Sequence, residues 1–379
     1  MWTLHDDRSA RRILTCEALG GRASVRALNS EATLTRALVI ALLALSATAS
    51  AATPTDDAHW ILNGDDPTVE QFQNTGALIA DLTVNMFGQT QSLRLVLCSS
   101  TLIAPDTVLL AAHCIDDNAI TQGMGTVTTK KYYWSRQADL SYMEGPPSTP
   151  LPADAITAKD WIGNESFDVF TMNVGLSDNH DIALVFLDTP VLDVAPALLP
   201  TLEEAPQIVA DSLVDVVGWG QQTATSGQQQ PPPGTVGIKK WGQSFISGLS
   251  AYEMKVGEVQ SDVRKCHGDS GGPTFMTITT GSIDPVRVIG VTSHAYDETD
   301  CSRTGGVDTR VDYHLAWIEA QMTSRCTAGT RVWCDVPGIP QAAYPEERGG
   351  CGCSSSEAPA SSLLAALLAP LMLLRRRRA

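Results

Sequence analysis

The sequence predicts an all-β fold, on three observations. Between residues 61 and 322 the chain is divided into short runs rich in Val, Ile, Leu and Thr, such as TLIAPDTVLL (101–110), IALVFLD (182–188), SLVDVV (212–217) and VRVIGVTSHAY (286–296). Such side chains fit the pleated, half-buried surface of a sheet. Pro, Asp or Gly bounds the runs, as turns require. Only YHLAWIEAQM (313–322) has helical spacing, with Leu315, Trp317, Ile318 and Met322 available to one side, so the expected order is many strands followed by one C-terminal helix.

Taken from the N-terminus, residues 1–51 read as a leader. LVIALLALSA (38–47) is an apolar run after Arg36 that leads into small residues suited to signal-peptidase cleavage after Ala49 or Ala51. It is short for a bilayer span; a buried helix is the alternative. The stretch before it is long for a signal-peptide leader, which a translation start placed too far upstream explains, and Cys16 then lies outside the protein. GPPSTPLP (145–152) and TATSGQQQPPPGT (223–235) are surface loops by composition. No internal repeat is visible.

At the other end, GGCGCSSSEAPASS (349–362) precedes an apolar segment, LLAALLAPLMLL (363–374), and a cluster of four arginines (375–378). Hydrocarbon accepts the middle piece and rejects the arginines, which therefore stay on the cytoplasmic side. This order resembles the C-terminal sorting signals of myxobacterial surface proteins. The resemblance implies that a sorting enzyme cuts the tail near Cys351 or Cys353, one of them a processing or lipid-attachment site, and that the protein is exported to the outer surface or released. The alternative is an uncut membrane anchor.

With 43% hydrophobic and 18% charged residues the composition is that of a globular chain. A net charge of −16 excludes nucleic acid and anionic membrane as partners, since both would be repelled over most of the surface.

Three separated segments carry chemistry: His113 in LLAAHC, Asp181 in NHDIALVFL and Ser270 in CHGDSGGP. Nucleophilic acyl transfer needs a hydroxyl, a base to take its proton and an acid to hold the base in the right tautomer. Singly, a His beside a Cys, an Asp before an apolar strand and a Ser in a Gly-rich turn each have a structural explanation. The glycines around Ser270 leave room for a substrate carbonyl, and the amides of Gly268 and Ser270 form a candidate oxyanion hole.

Together, AAHC, DIALV, GWG and GDSGGP, in that order, resemble the chymotrypsin-like (trypsin-fold) serine proteases, over residues 61–322. The resemblance implies two six-stranded antiparallel β-barrels with the active site in the cleft between them, and a serine endopeptidase acting on peptide or protein substrates as a monomer without cofactor or metal. His113 is then general base and acid, Asp181 its orienter and Ser270 the nucleophile. It also implies disulfides Cys98–Cys114 and Cys266–Cys301, with Cys326 and Cys334 left as a local bridge in a loop and linker (323–350) beyond the helix. ILNG (61–64) resembles the start of a mature chain, so residues 52–60 read as a propeptide and Ile61 supplies an amine that buries against Asp269 once an activating protease has cut. Trp60 precedes that cut, where a tryptic activator would want Arg or Lys.

In the family the residue six before the nucleophile sits at the base of the specificity pocket; here it is Arg264. An inward Arg264 predicts acidic substrates, paired in two-pronged geometry. GVDTRV, which resembles the family's GVYTRV, carries Asp308 near the floor, and an Arg264–Asp308 pair predicts a neutral pocket. An Arg264 turned to solvent leaves the floor to another group. Lys265 reads as a rim charge. The wall is Ser293, His294 and Ala295, where Ala295 narrows the entrance; His294 lacks neighbours with metal-site spacing, and His267 reads as a cleft residue. The competing function is a catalytically inactive protease-fold binding module on the cell surface.

Overall fold

Among the described residues the chain forms twelve strands and two α-helices, most strands carrying the β-branched and apolar runs of the sequence. The computed structural model describes residues 61–334, apart from 173–174, 178, 223–233, 282–283, 298–300 and 302–303. The leader, the propeptide segment and the tail with Cys351 and Cys353 lie outside the described residues, as does most of the 223–235 loop.

The first barrel holds β1 (Thr75–Met86), β2 (Gln89–Ala104), β3 (Thr107–Leu110), β4 (Gly125–Ser135), β5 (Ile156–Gly163) and β6 (Ala183–Leu187). The second holds β7 (Leu213–Gly218), β8 (Lys240–Leu249), β9 (Glu253–Val256), β10 (Pro273–Thr277), β11 (Val286–Ala295) and β12 (Gly306–Arg310). Each sheet closes, in the orders β1-β2-β3-β6-β5-β4 and β10-β11-β12-β9-β8-β7, and all pairings between strands are antiparallel. Counted from its own first strand, each barrel has the same neighbours. The two halves therefore repeat one topology that the sequence does not show as a repeat.

Local chemistry sets the joints. β1 and β2 meet through Phe87 (φ 53°) and Gly88 (φ 77°), with Met86 opposite Gln89. Two successive left-handed residues give the primed hairpin turn whose twist matches that of the strands. At Gly76 a Cβ would stand 2.4 Å from the Trp134 ring; the bare backbone lets that fully buried indole lie across β1 and donate to Ser100 Oγ at 3.0 Å.

The larger core cluster runs from Leu78, Ile103 and Phe186 in the first barrel to Val217, Phe275 and Val291 in the second, so apolar packing is continuous between the two barrels. A second cluster around Val216, Ile246, Met254 and Ile289 fills the other barrel and includes Ile61. Besides the short helix α1 (Asp117–Thr121), the chain ends in α2 (Leu315–Thr327), whose buried residues are Leu315, Ile318 and Met322. Trp317 is half-buried and donates to Glu165.

α2 runs farther than its periodicity predicts. Cys326 lies in its last turn rather than in a loop beyond it, and bonds to Cys334. The loop they close carries Arg331 onto Asp106, a fully buried carboxylate that also accepts from the Val332 and Trp333 amides. The folded domain thus continues through residue 334.

Candidate active site

β3 and β6 are neighbours, with Leu110 paired to Ala183, so the residues after one and before the other converge. His113 sits in a 3₁₀ turn (Ala112–Cys114) directly after β3, held by the Cys98–Cys114 disulfide. Asp181 stands two residues before β6 and is fully buried. Its Oδ1 accepts from the His113 amide at 2.8 Å and its Oδ2 from His113 Nδ1 at 2.6 Å. Ser293 Oγ donates to the same Oδ2 at 2.6 Å, and Thr309 Oγ1 bonds the Asp181 carbonyl. With Nδ1–H fixed on the carboxylate, His113 Nε2 is the base of the imidazole.

The electrostatics follow from that contact. Burial pushes the Asp181 carboxyl up, but the His113 charge and the hydrogen bonds from His113 and Ser293 reverse this, leaving it below its usual value. For His113, burial disfavours the imidazolium, and the charge and hydrogen bond of Asp181 outweigh burial, so its pKa lies above that of a free histidine.

Ser270 comes from the second barrel, three residues before β10, and lines with His113 a cleft of about 650 Å³. The turn that carries it needs its glycines. Gly268 (φ 93°) and Gly271 (φ 78°) are left-handed, and Cβ atoms there would lie 2.9 Å from Gly220 Cα and 2.4 Å from the Ser99 carbonyl. The amides of Asp269, Gly271 and Gly272 donate to the carbonyls of Cys266, Thr292 and Asp269. Among the described residues no acceptor takes the amides of Gly268 or Ser270.

Asp269 explains GWG. Cβ atoms at Gly218 and Gly220 would lie 2.1 and 2.5 Å from the Asp269 carboxyl, so the two glycines clear space for this buried acid. Its oxygens accept from the Gly220 and Cys266 amides, both at 2.8 Å. Burial pushes the carboxyl up to about 6, although the two amides and the Lys265 charge oppose it. In the uncut chain the Ile61 nitrogen is a peptide amide, and among the described residues it is not a partner of Asp269. The Ile61 side chain is buried in the second barrel, and Leu62 bridges to Arg264.

The pocket differs from the sequence expectation at both basic residues. Arg264 is buried but neither lines the cleft nor pairs with Asp308. Its guanidinium donates to the carbonyls of Cys301 (2.7 Å) and Gln260 (3.0 Å), with longer contacts to Asp262 and Thr304. Adjacent residues of an extended segment point to opposite sides, so Lys265 takes the inward place. Rather than a rim charge, it is a buried cleft-lining residue, its side chain 2% exposed. Its Nζ donates to Asp308 Oδ1 and Oδ2 at 2.7 and 2.6 Å and to Thr274 Oγ1. Ser293, His294 and Ala295 form one wall, with Cys266 bonded to Cys301 close by; His267 is exposed at the cleft. Lys265 and Thr274 are the residues sequence reasoning missed. An Asp inside the apolar strand run GVDTRV was the available signal, since a buried carboxylate needs a buried donor set.

Cys98, His113 and Cys114 bring ligand-type atoms within 4.8 Å. The sulfurs are bonded to each other, so they offer no thiolate and the group does not fit a metal. No helix among the described residues is long and apolar enough to cross a membrane.

Comparison with known proteins finds the Trypsin family matching residues 81–318. The chain is 27% identical over 247 residues to the Spaetzle-processing enzyme of Drosophila melanogaster, covering 59% of the chain and 58% of that protein. It is 29% identical over 241 residues to Trypsin-1 of Astacus astacus, covering 59% and 86%. It is 27% identical over 237 residues to the CLIP domain-containing serine protease HP8 of Bombyx mori, covering 59% and 61%. The match thus spans less than two thirds of the first and third of these relatives.

Proposed function

The chain belongs to the trypsin family, and on that premise we propose that it is a serine endopeptidase in which Ser270, His113 and Asp181 hydrolyse peptide bonds through an acyl-enzyme. The observation that carries the reading is the His113 imidazole, held at Nδ1 by buried Asp181 and sharing a cleft with Ser270. His113 Nε2 takes the Ser270 Oγ proton as the oxygen attacks the carbonyl carbon. The oxyanion receives the Gly268 and Ser270 amides. His113 then gives the proton to the leaving amine, and a water activated by the same nitrogen releases the acid and restores Ser270. Replacing Ser270 with Ala tests this. Turnover of a peptide ester should vanish in the folded variant, and full retained activity would refute the assignment.

The same reading makes the chain a zymogen. Cleavage before Ile61 frees an ammonium that settles beside Asp269, a buried acid whose carboxyl burial pushes up to about 6 in the uncut chain. Export, and release of the protease when the tail is processed near Cys351 or Cys353, complete the proposal. Deleting residues 363–379 should move the protein from cell surface to medium, and unchanged fractionation would refute the tail's role.

A further inference from the structure

Resting on the protease reading, we propose that the buried Lys265–Asp308–Thr274 network determines specificity by withholding both charges from the substrate, so that the pocket takes an uncharged, medium-sized apolar side chain before the scissile bond. The donor count supports this. An ammonium has three N–H groups; those of Lys265 meet two Asp308 oxygens and Thr274 Oγ1. Asp308 also accepts from the Thr274 hydroxyl. Asp308 and Thr274 are fully buried.

The fold is shaped around the pair. Asp308 faces Thr292 across β11 and β12, and Thr292 lines the cleft. At Gly290 a Cβ would lie 2.6 Å from Asp308 Oδ2 and 2.1 Å from Met254 Cε, so the missing side chain gives the carboxylate its space. At Gly306 a Cβ would stand in ordinary contact, 3.7 Å from the His294 carbonyl and 3.8 Å from Lys265 Cβ. Among the described residues that line the cleft the acid is Asp297, which is exposed, where solvent screens it.

Among the described residues of the cleft wall a substrate Arg or Lys would thus meet no unpaired buried carboxylate, and a substrate Asp or Glu no unpaired buried ammonium. Binding either means breaking a buried pair or burying an unmatched charge, and the closed network resists both. An unbranched apolar chain such as Leu or Met asks for neither. Ala295 lines the cleft, and its methyl group disfavours larger rings there.

The test uses the purified, processed protein, with competent sites counted by a fluorophosphonate label and fluorogenic peptides that differ only before the cut bond. The wild type should favour Leu and Met over Arg, Lys, Asp and Glu by about 100-fold or more in kcat/KM. Lys265→Met should raise the Arg and Lys peptides relative to Leu, and Asp308→Asn the Asp and Glu peptides, each by about tenfold or more. A wild type that prefers a charged residue, or folded single variants that keep its ranking, would overturn the proposal. Where a single variant does not fold, the neutral double replacement Lys265→Met, Asp308→Leu should keep uncharged above charged; a changed ranking would overturn it. Benzamidine binding in a Ser270→Ala background separates this proposal from the protease reading, because it needs no turnover. The amidinium should bind the Lys265→Met form at least tenfold more tightly than the form with Lys265, and equal affinities would overturn the proposal even where catalysis is intact.

Discussion

Replacing Asp181 with Asn changes one atom at the most constrained point of the cleft. Oδ1 accepts from the His113 amide, and Oδ2 from His113 Nδ1 and Ser293 Oγ. An amide has one accepting oxygen and one NH₂. With its oxygen toward Nδ1, the NH₂ faces the His113 amide, donor against donor. With its oxygen toward that amide, the NH₂ faces Nδ1, which must then accept, and the imidazole proton moves to Nε2, where a base needs a lone pair. Either arrangement disables His113, so kcat should fall by about 10⁴-fold at neutral pH, or about 5.5 kcal/mol, with KM little changed. The assay is steady-state hydrolysis of a peptide ester, compared per folded molecule. Asp181 also holds the His113 pKa up, so kcat/KM in the wild type should decline on acidification from above pH 6.5, and in the variant only at lower pH. A loss below tenfold, or an unmoved acid limb, would refute the idea that Asp181 orients His113.

Arg264→Met should leave the ranking of peptides unchanged, because the guanidinium serves the carbonyls of Cys301 and Gln260 rather than the cleft. It should lower stability by about 2–4 kcal/mol in urea unfolding, through buried acceptors left unmatched; a switched preference would return Arg264 to the pocket. Asp106→Ala removes the partner of Arg331 and of two amides and should cost about 3–5 kcal/mol, whereas a wild-type unfolding midpoint would show that the loop closed by Cys326 and Cys334 lies outside the cooperative unit. In the uncut chain the Asp269 carboxyl is raised to about 6 in the fold against about 4 when unfolded. The folded state thus holds this proton more tightly, and its contribution to stability falls as pH rises from about 4 to about 6, by about 3 kcal/mol in all. Asp269→Asn should flatten that part of the stability profile, and a wild-type slope would contradict it.

Much of the fold and of the candidate site could be read from the sequence because the residues involved are fixed by local chemistry. The glycines around Ser270 have to be glycines, since the turn brings backbone against backbone, and such needs survive as a readable string. The strands are visible as β-branched runs between turns, and their closure into two six-stranded barrels follows from the family resemblance; that the two barrels repeat one topology is not legible, because it lies in long-range pairing that differs in side chains between the halves. The pocket was misread at Arg264 and Lys265 for a related reason. Two basic neighbours differ only in which way an extended backbone turns them, and that parity is set by the bridge of Arg264 to Leu62, far away in sequence. The end of α2 escaped because its last turn, TSRCT, is polar and held by the disulfide and Arg325 rather than by an apolar face.

The most direct test of the catalytic assignment is the mass of the processed protein after reaction with a fluorophosphonate, followed by peptide mapping. One adduct is expected, on the peptide containing Ser270, formed faster as pH rises through the His113 titration and greatly slowed in Asp181→Asn. An adduct at another residue, or a folded, processed protein that stays unlabelled, would contradict it.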